Sequence, residues 1–283
     1  MRAVSLHRDV IVVTSALLQA NCTIVRGPSD GEGPPPGRED ALAGADAAPE
    51  RPPAETFVID SPVLADELEL LPQLLEQSRF PPPSGLLATH ADWDHLLGRL
   101  AFADVALGCA ESSAARLAAE PGAAQRQLRS FDEELYLQRG RPLALGSVQA
   151  LPVPGRCGIG DADLELHAAE GHTGDGMAVW IPWARVLVAG DYLSAVEIPT
   201  LGEGGAPDAY LATLERLRPL TSAAEHVVPG HGPVIDGARA LEVLEQDLAY
   251  LQALRERGAD AELPAGRRSR EQRRLHARNV AAL

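Results

Sequence analysis

Two histidines and two aspartates fall within six residues in Thr89-His90-Ala91-Asp92-Trp93-Asp94-His95, directly after the apolar run Leu86-Leu87-Ala88. A lone histidine ordinarily reads as a satisfied core or surface residue. Two imidazoles and two carboxylates packed this tightly are costly to assemble without a cation among them. Three further candidates stand singly in glycine turns: His172 in Gly171-His172-Thr173-Gly174, Asp191 after Val188-Ala189-Gly190, and His231 in Pro229-Gly230-His231-Gly232. Taken alone, each reads equally well as a turn residue, although glycine lets backbone approach a ligand closely. Their shared position at strand ends converges on a hydrolytic site holding two metal ions.

The elements that must position these residues alternate between strand and helix. Val10 to Thr14, Cys22 to Val25 and Thr56 to Ile59 read as strands. Leu64, Leu68, Leu71 and Leu75 form a helical stripe over 64–77, which Pro72 is expected to break. After the strand at Leu86 a helix follows from His95, then a strand over Val105 to Gly108 and a helix over Glu111 to Ala119. Strands dominate next: Leu164 to Ala168, Ala178 to Ile181 and Val186 to Ala189, the last two joined by the turn Pro182-Trp183-Ala184-Arg185. A helix over Asp208 to Leu217, a strand at Val227-Val228 and a long helix over Gly237 to Gly258 follow, and Ser269 with Gln272 makes a capping box for a last helix reaching about Ala282.

The chain has 283 residues with 25 basic and 40 acidic side chains, a net charge of −15, which argues against a nucleic-acid partner. All the basic side chains are arginine. The composition, 45% hydrophobic and 23% charged, is that of a soluble globular protein. Cys22, Cys109 and Cys157 are widely spaced and odd in number, so they read as packing residues in a reducing, cytoplasmic setting. Arg2, Arg8 and the apolar stretch to Leu18 superficially suggest an export signal, but the alternation reads as a strand, and no run is long enough for a membrane span. Residues 27–55 carry 7 Pro, 5 Gly and 7 acids against 2 arginines, so they are expected to form a disordered acidic insertion inside one domain covering 1–283. Residues 237–283 are expected to form a C-terminal helical extension.

Taken in order, His90 to His95, Gly171-His172-Thr173, Gly190-Asp191 and Pro229-Gly230-His231-Gly232, with the opening strands Asn21 to Val25 and Phe57 to Asp60, resemble the motifs of metallo-β-lactamase-fold hydrolases. The resemblance implies an α/β fold, an αββα sandwich with metals at one edge. Carried over by position, His90, Asp92 and His172 would hold one divalent ion, Asp94, His95 and His231 a second, and Asp191 would bridge them. The family's HxHxDH signature stands here as HADWDH, with Asp92 in place of a histidine. Zinc is the expected metal, but the oxygen donor makes iron or manganese plausible. The implied activity is hydrolysis of a small-molecule ester, thioester or lactone by a metal-bound hydroxide, with Asp94 orienting the attacking water. A β-lactamase proper fits less well without an export signal.

Two rivals stay open. One is an iron-dependent redox enzyme of the same fold, either diiron or persulfide dioxygenase-like, the latter using His90, His172 and Asp191; the other is a metal-binding scaffold without activity, which would need the ligands alone. Trp93, Tyr192 and Tyr136 are expected to line the substrate site, with Phe131 to Arg141 covering it, whereas Trp180 and Trp183 read as packing residues. Arg267 and Arg268 open a segment, 267–278, with six arginines and one glutamate. That segment reads either as a solvated helix face or as an anchor for an anionic substrate.

Overall fold

A computed structural model describes residues 1–28 and 54–283, so the body of the acidic insertion expected over 27–55 lies outside the described residues. Its two ends meet, with Gly27 N–H donating to the Glu55 carbonyl at 2.9 Å.

Thirteen strands form two sheets among these residues. The first has the order β1 (Arg2–His7), β2 (Val10–Thr14), β3 (Asn21–Arg26), β4 (Thr56–Ile59), β5 (Gly85–Ala88), β6 (Leu107–Ala110) and β7 (Val148–Leu151). It is antiparallel through β4 and parallel from β4 to β7. The second runs β13 (Ile235–Asp236), β12 (His226–Pro229), β11 (Val186–Gly190), β10 (Met177–Ile181), β9 (Ala162–Ala168) and β8 (Gly155–Ile159), with only β11 and β12 parallel.

Both sheets are covered on both faces, which is why their central strands read as unbroken apolar runs. Val10, Val12, Val25, Ile59 and Leu87 of the first sheet meet Leu164, Leu166, Val179, Val186, Val188 and Val228 of the second in the layer between sheets. The alternate residues Ile11, Val13, Ile24, Val58 and Leu86 point outward against α1 (Ala65–Gln77) and α4 (Ala123–Leu135). On the far side, Ala178, Trp180, Leu187, Ala189 and Val227 pack against α5 (Pro207–Ala223), α6 (Gly237–Arg257) and α7 (Arg270–Ala281). The short α2 (Gly98–Ala101) and α3 (Glu111–Ala119) complete the helical layers, giving an αββα sandwich. The segment 237–283 is therefore packed into the main core on one face of the second sheet.

Several boundaries depart from the expectation. Pro72 lies inside a continuous α1, and Pro219 inside an α5 that runs six residues beyond Leu217. A mid-helix proline costs about 3 kcal/mol. Burying Leu68, Leu71 and Leu75 on the same face of α1 stabilises by roughly 1.5–3 kcal/mol each and outweighs that cost. The helix expected from His95 is a 3₁₀ turn over Trp93–His95 followed by α2, and the strand expected over 105–108 is β6, shifted two residues onward. Cys22 and Cys109 are buried, as packing residues should be. Burial pushes the Cys109 thiol up to about 12. No helix among the described residues is long and apolar enough to cross a membrane.

Candidate metal centre

Every loop that carries a candidate ligand follows the C-terminal end of a strand. His90 to His95 follow β5, His172 follows β9, Asp191 follows β11 and His231 follows β12. The first sheet therefore supplies one half of the cluster and the second sheet the other. Asn21, at the start of β3, joins the halves. Its amide donates to the Pro229 and Gly232 carbonyls, both at 2.8 Å, and its backbone N–H donates to the Gly230 carbonyl at 2.8 Å.

All seven sequence-derived candidates converge. Asp191 sits between two groups: its Oδ2 lies 3.2 Å from His172 Nε2 and 3.9 Å from His90 Nε2, and its Oδ1 lies 3.3 Å from His95 Nε2 and 3.5 Å from His231 Nε2. Asp92 Oδ2 joins the first group at 3.6 Å from His90 and 3.7 Å from His172. Asp94 Oδ2 joins the second at 3.3 Å from His231 and 3.9 Å from His95. Within each of the sets His90/Asp92/His172 and Asp94/His95/His231, one donor atom per residue lies within 4.8 Å of the others.

The outer nitrogens fix the rings. His172 Nδ1 lies 2.8 Å from the Thr200 carbonyl and His231 Nδ1 3.1 Å from the Leu18 carbonyl. A carbonyl only accepts, so Nδ1 carries the proton in both rings and Nε2 faces the cluster. His95 Nδ1 lies 3.1 Å from Asp60 Oδ2, and His90 Nδ1 3.2 Å from Thr89 Oγ1. Asp60 in turn accepts from Thr89 N–H at 2.8 Å and Thr89 Oγ1–H at 2.9 Å.

The inner atoms are left without hydrogen bonds. Nε2 of His90, His95 and His172 and Oδ1 of Asp191 are buried and have no hydrogen-bond partner. Orphaned buried groups of this kind are costly, and here they share one small volume with three carboxylates. Imidazole and carboxylate donors in that arrangement fit divalent cations. Burial opposes charge on His95 and His231, but the carboxylates prevail: Asp60, Asp191 and Asp94 hold His95 well above its usual range, and Asp191 and Asp94 hold His231 up to about 10. Burial likewise opposes ionisation of Asp191, which His231, His95 and His172 nevertheless hold well below the usual carboxylate range.

Backbone proximity requires glycine at one position in particular. A Cβ on Gly230 would stand 2.0 Å from Asp191 Oδ1 and 3.0 Å from His95 Cε1.

The expected substrate contacts fare differently. Trp93 is half-buried and packs on Phe131 of α4 with ring centroids 4.5 Å apart, placing α4 beside the first motif. Tyr136, at the C-terminal end of α4, is 93% exposed and extends into solvent. Tyr192 does not line a substrate site: it is buried behind the cluster, donating to the Ala169 carbonyl at 3.1 Å and accepting from His172 N–H at 2.9 Å. Arg267 is not an anchor either. It is 2% exposed and donates to Asp247 at 2.5 Å and to the Ser194 and Glu197 carbonyls at 3.2 and 2.8 Å. The guanidinium is fully engaged inside the protein, so no substrate carboxylate can reach it. Arg268 is exposed and donates to the Leu263 carbonyl at 3.0 Å.

Three residues near the cluster went unrecognised in the sequence. Arg116 of α3 forms an ion pair with Asp92, Nη1 to Oδ1 at 2.8 Å, and donates from Nη1 to Asp175 Oδ1 at 2.9 Å and from Nη2 to Glu203 at 3.0 Å. Asp175 also accepts from Ala91 N–H inside the first motif at 2.9 Å. Glu197 is half-buried close to His231, Asp191, His172 and Asp94, and burial raises its carboxyl. Arginine on a helix and acids in loops carry no local signature of such roles.

Comparison with known proteins agrees with this geometry. The sequence profile described as the metallo-beta-lactamase superfamily matches residues 51–231. The beta-lactamase-like protein 2 homolog of Caenorhabditis elegans is 35% identical over 82 residues, which cover 28% of this chain and 25% of that protein. A metallo-beta-lactamase type 2 of Bacillus sp. (strain 170) is 29% identical over 117 residues, covering 40% and 44% of the two chains. The chain thus spans less than half the length of either curated relative. Among solved structures, a metallo-beta-lactamase family protein from Thermus thermophilus superposes with a TM-score of 0.64 at 19% identity over 98% of this chain and 92% of that one. An archaeal superfamily protein from Sulfolobus tokodaii gives 0.61 at 15% identity, covering 98% and 100%. TTHA1623 in a di-iron-bound form gives 0.54 at 22% identity, covering 82% and 97%. These likenesses establish the fold, and the profile match over most of the chain establishes kinship: the protein belongs to the metallo-beta-lactamase superfamily.

Proposed function

We propose that the protein is a binuclear metal-dependent hydrolase of a small-molecule ester, thioester or lactone. The observation that carries the reading is the convergence of four Nε2 atoms and the carboxylates of Asp92 and Asp94 around Asp191, whose two oxygens face different pairs of histidines. In this reading His90, Asp92 and His172 hold one ion, Asp94, His95 and His231 hold the other, and Asp191 spans both. When bound, divalent ions supply polarisation of a carbonyl oxygen and a water whose pKa is lowered toward neutrality.

The remaining work belongs to the chain's own residues. Asp94 presents Oδ2 to His231 and His95, and Ser61 Oγ–H donates to its backbone carbonyl at 2.9 Å. So held, its carboxylate orients the attacking water and carries a proton toward the leaving group. Trp93 on Phe131 supplies an apolar flank. Among the described residues Arg116 is the one guanidinium bonded to the ligand set, and three carboxylates occupy it. It is thereby withheld from a substrate carboxylate, which favours uncharged carbonyl substrates over anionic ones.

The test is metal analysis of protein purified without added metal, followed by hydrolysis assays on neutral esters, thioesters and lactones beside an anionic β-lactam. Two zinc per chain with chelator-sensitive turnover of a neutral substrate is the expected result, and an active protein free of metal would sink the proposal. A second reading rests on Asp92, whose oxygen favours a harder ion than imidazole does. Iron in the purified protein, with oxygen consumption in place of hydrolysis, would select an iron-dependent redox enzyme.

A further inference from the structure

The final helix, α7, buries two polar side chains, Gln272 and Asn279, on the face turned toward the loop that follows β11. Both pair with backbone. Gln272 Oε1 accepts from Ile198 N–H at 2.7 Å. Asn279 is fully buried: its Oδ1 accepts from Leu201 N–H at 2.9 Å, and its Nδ2 donates to the Pro199 carbonyl at 2.7 Å and to Tyr250 Oη at 3.0 Å. Arg267, just before the helix, holds the Ser194 and Glu197 carbonyls of the same loop. Three buried polar groups from the C-terminal segment thus grip residues 194–201.

The residue between the two backbone groups gripped by Asn279 is Thr200, and the Thr200 carbonyl is what His172 Nδ1 donates to. A carboxamide that both accepts from residue 201 and donates to residue 199 fixes the peptide planes on either side of residue 200. The Thr200 carbonyl then has one direction, the His172 ring one orientation, and Nε2 one place, 3.2 Å from Asp191 Oδ2. Burying an amide in an apolar helix interface is unfavourable unless every donor and acceptor is matched. Here each is matched, on the stretch of loop that orients His172.

We infer that Asn279 is a positioning residue for His172, acting through the Thr200 carbonyl, so that the C-terminal helix tunes the affinity of the ion held by His90, Asp92 and His172. The inference rests on the metal-site assignment proposed above. Partners that orient a ligand from outside change metal affinity by about 10–100-fold when removed. Asn279 acts one residue further out, so the effect expected is at the lower end, about ten-fold.

The experiment measures zinc binding by chelator competition in the full-length protein and in Asn279→Ala, Asn279→Asp and Leu275→Ala. Leu275 is buried on the same helix and touches neither Thr200 nor its neighbours through hydrogen bonds, so it reports loss of helix packing alone. Asn279→Ala is expected to weaken one zinc equivalent about ten-fold and leave the other unchanged. Asn279→Asp keeps the shape and the acceptor for Leu201 but sets an oxygen against the Pro199 carbonyl where the donor stood, so it should weaken the same equivalent at least as much, and whichever of the two variants folds carries the test. Leu275→Ala is expected to lower the melting temperature with both equivalents retained. Two zinc in wild type with unchanged affinity in the Asn279 variants overturns the inference alone. Equal weakening in Leu275→Ala also overturns it. Failure of wild type to bind zinc overturns the metal-site proposal itself.

Discussion

Arg116 offers the sharpest test of the electrostatics proposed for the cluster. In the proposed assignment Asp92 stands where the family's motif has a histidine, which would add a negative charge to the first site, and the guanidinium 2.8 Å from Asp92 Oδ1 would return a positive one. The pair therefore approximates the charge of the neutral imidazole it stands in for. Arg116→Met keeps the length of the side chain and removes the charge. At a separation on the order of 6 Å and an effective dielectric near 20, a guanidinium would repel a divalent ion by roughly 5 kcal/mol. Partial solvent screening and loss of the ion pair that orients Asp92 reduce the gain, leaving about 1–3 kcal/mol, or about 5- to 150-fold tighter binding at the first site. Without metal the same change is destabilising, because the buried Asp175 loses its ion pair. Zinc titration followed by both calorimetry and thermal unfolding measures the two effects together. The variant should melt lower without metal yet gain more on zinc addition than wild type. Unchanged or weaker zinc binding would refute the idea that Arg116 offsets the charge of Asp92.

Other perturbations bear on separate parts of the structure. Gly230→Ala puts a methyl 2.0 Å from Asp191 Oδ1, so zinc content should fall below two per chain by elemental analysis; full occupancy would mean that the loop yields more easily than its packing suggests. Arg267→Met removes the ion-pair partner of Asp247, whose carboxyl burial already pushes up to about 7, and leaves that group either protonated or unpaired in the interior, which should cost up to about 3–5 kcal/mol in denaturant unfolding with little change in KM. A selective rise in KM for anionic substrates at unchanged stability would instead restore Arg267 as a substrate anchor. His231 is held up to about 10 by Asp191 and Asp94 against burial, compared with about 6.5 in an unfolded chain. Its contribution to metal-free stability is then complete below about pH 6.5 and lost as pH rises toward 10. Metal-free protein should lose melting temperature between pH 7 and 9, and the zinc-loaded form, whose coordinated imidazole is already neutral, should lose less; parallel curves would contradict the assignment.

The ligand loops were legible in the sequence because their signals are local. His90 to His95 crowd into six residues, and His172, Asp191 and His231 each adjoin glycine at the end of an apolar run. The covered strands were legible for the same reason, as in Val186 to Ala189. What escaped depends on tertiary distance. Arg116 lies 24 positions from Asp92, and Asn279 lies 79 positions from Thr200, so no window of sequence joins either pair. Arg267 was misread because six arginines in twelve residues suggest a solvated face, while the buried partner that accounts for this one, Asp247, sits 20 positions earlier on α6. Pro72 was misread, and the helix from Asp208 was ended short of Pro219, because leucines whose burial requires the assembled sheet outweigh local backbone rules.

The seam made by Asn21 has a consequence for how the molecule comes apart. One sheet contributes His90 through His95, the other contributes His172, Asp191 and His231, and Asn21 ties the first to the loop bearing His231. Neither half alone presents a complete set of ligands for either ion in the proposed assignment. Ions bound across such a seam act as rivets: any motion that parts the sheets must first give up their binding energy. Resistance to opening at this edge, read as slowed amide exchange in β3 and β12, should therefore scale with metal concentration, so that the same atoms proposed for chemistry also keep the two sheets together.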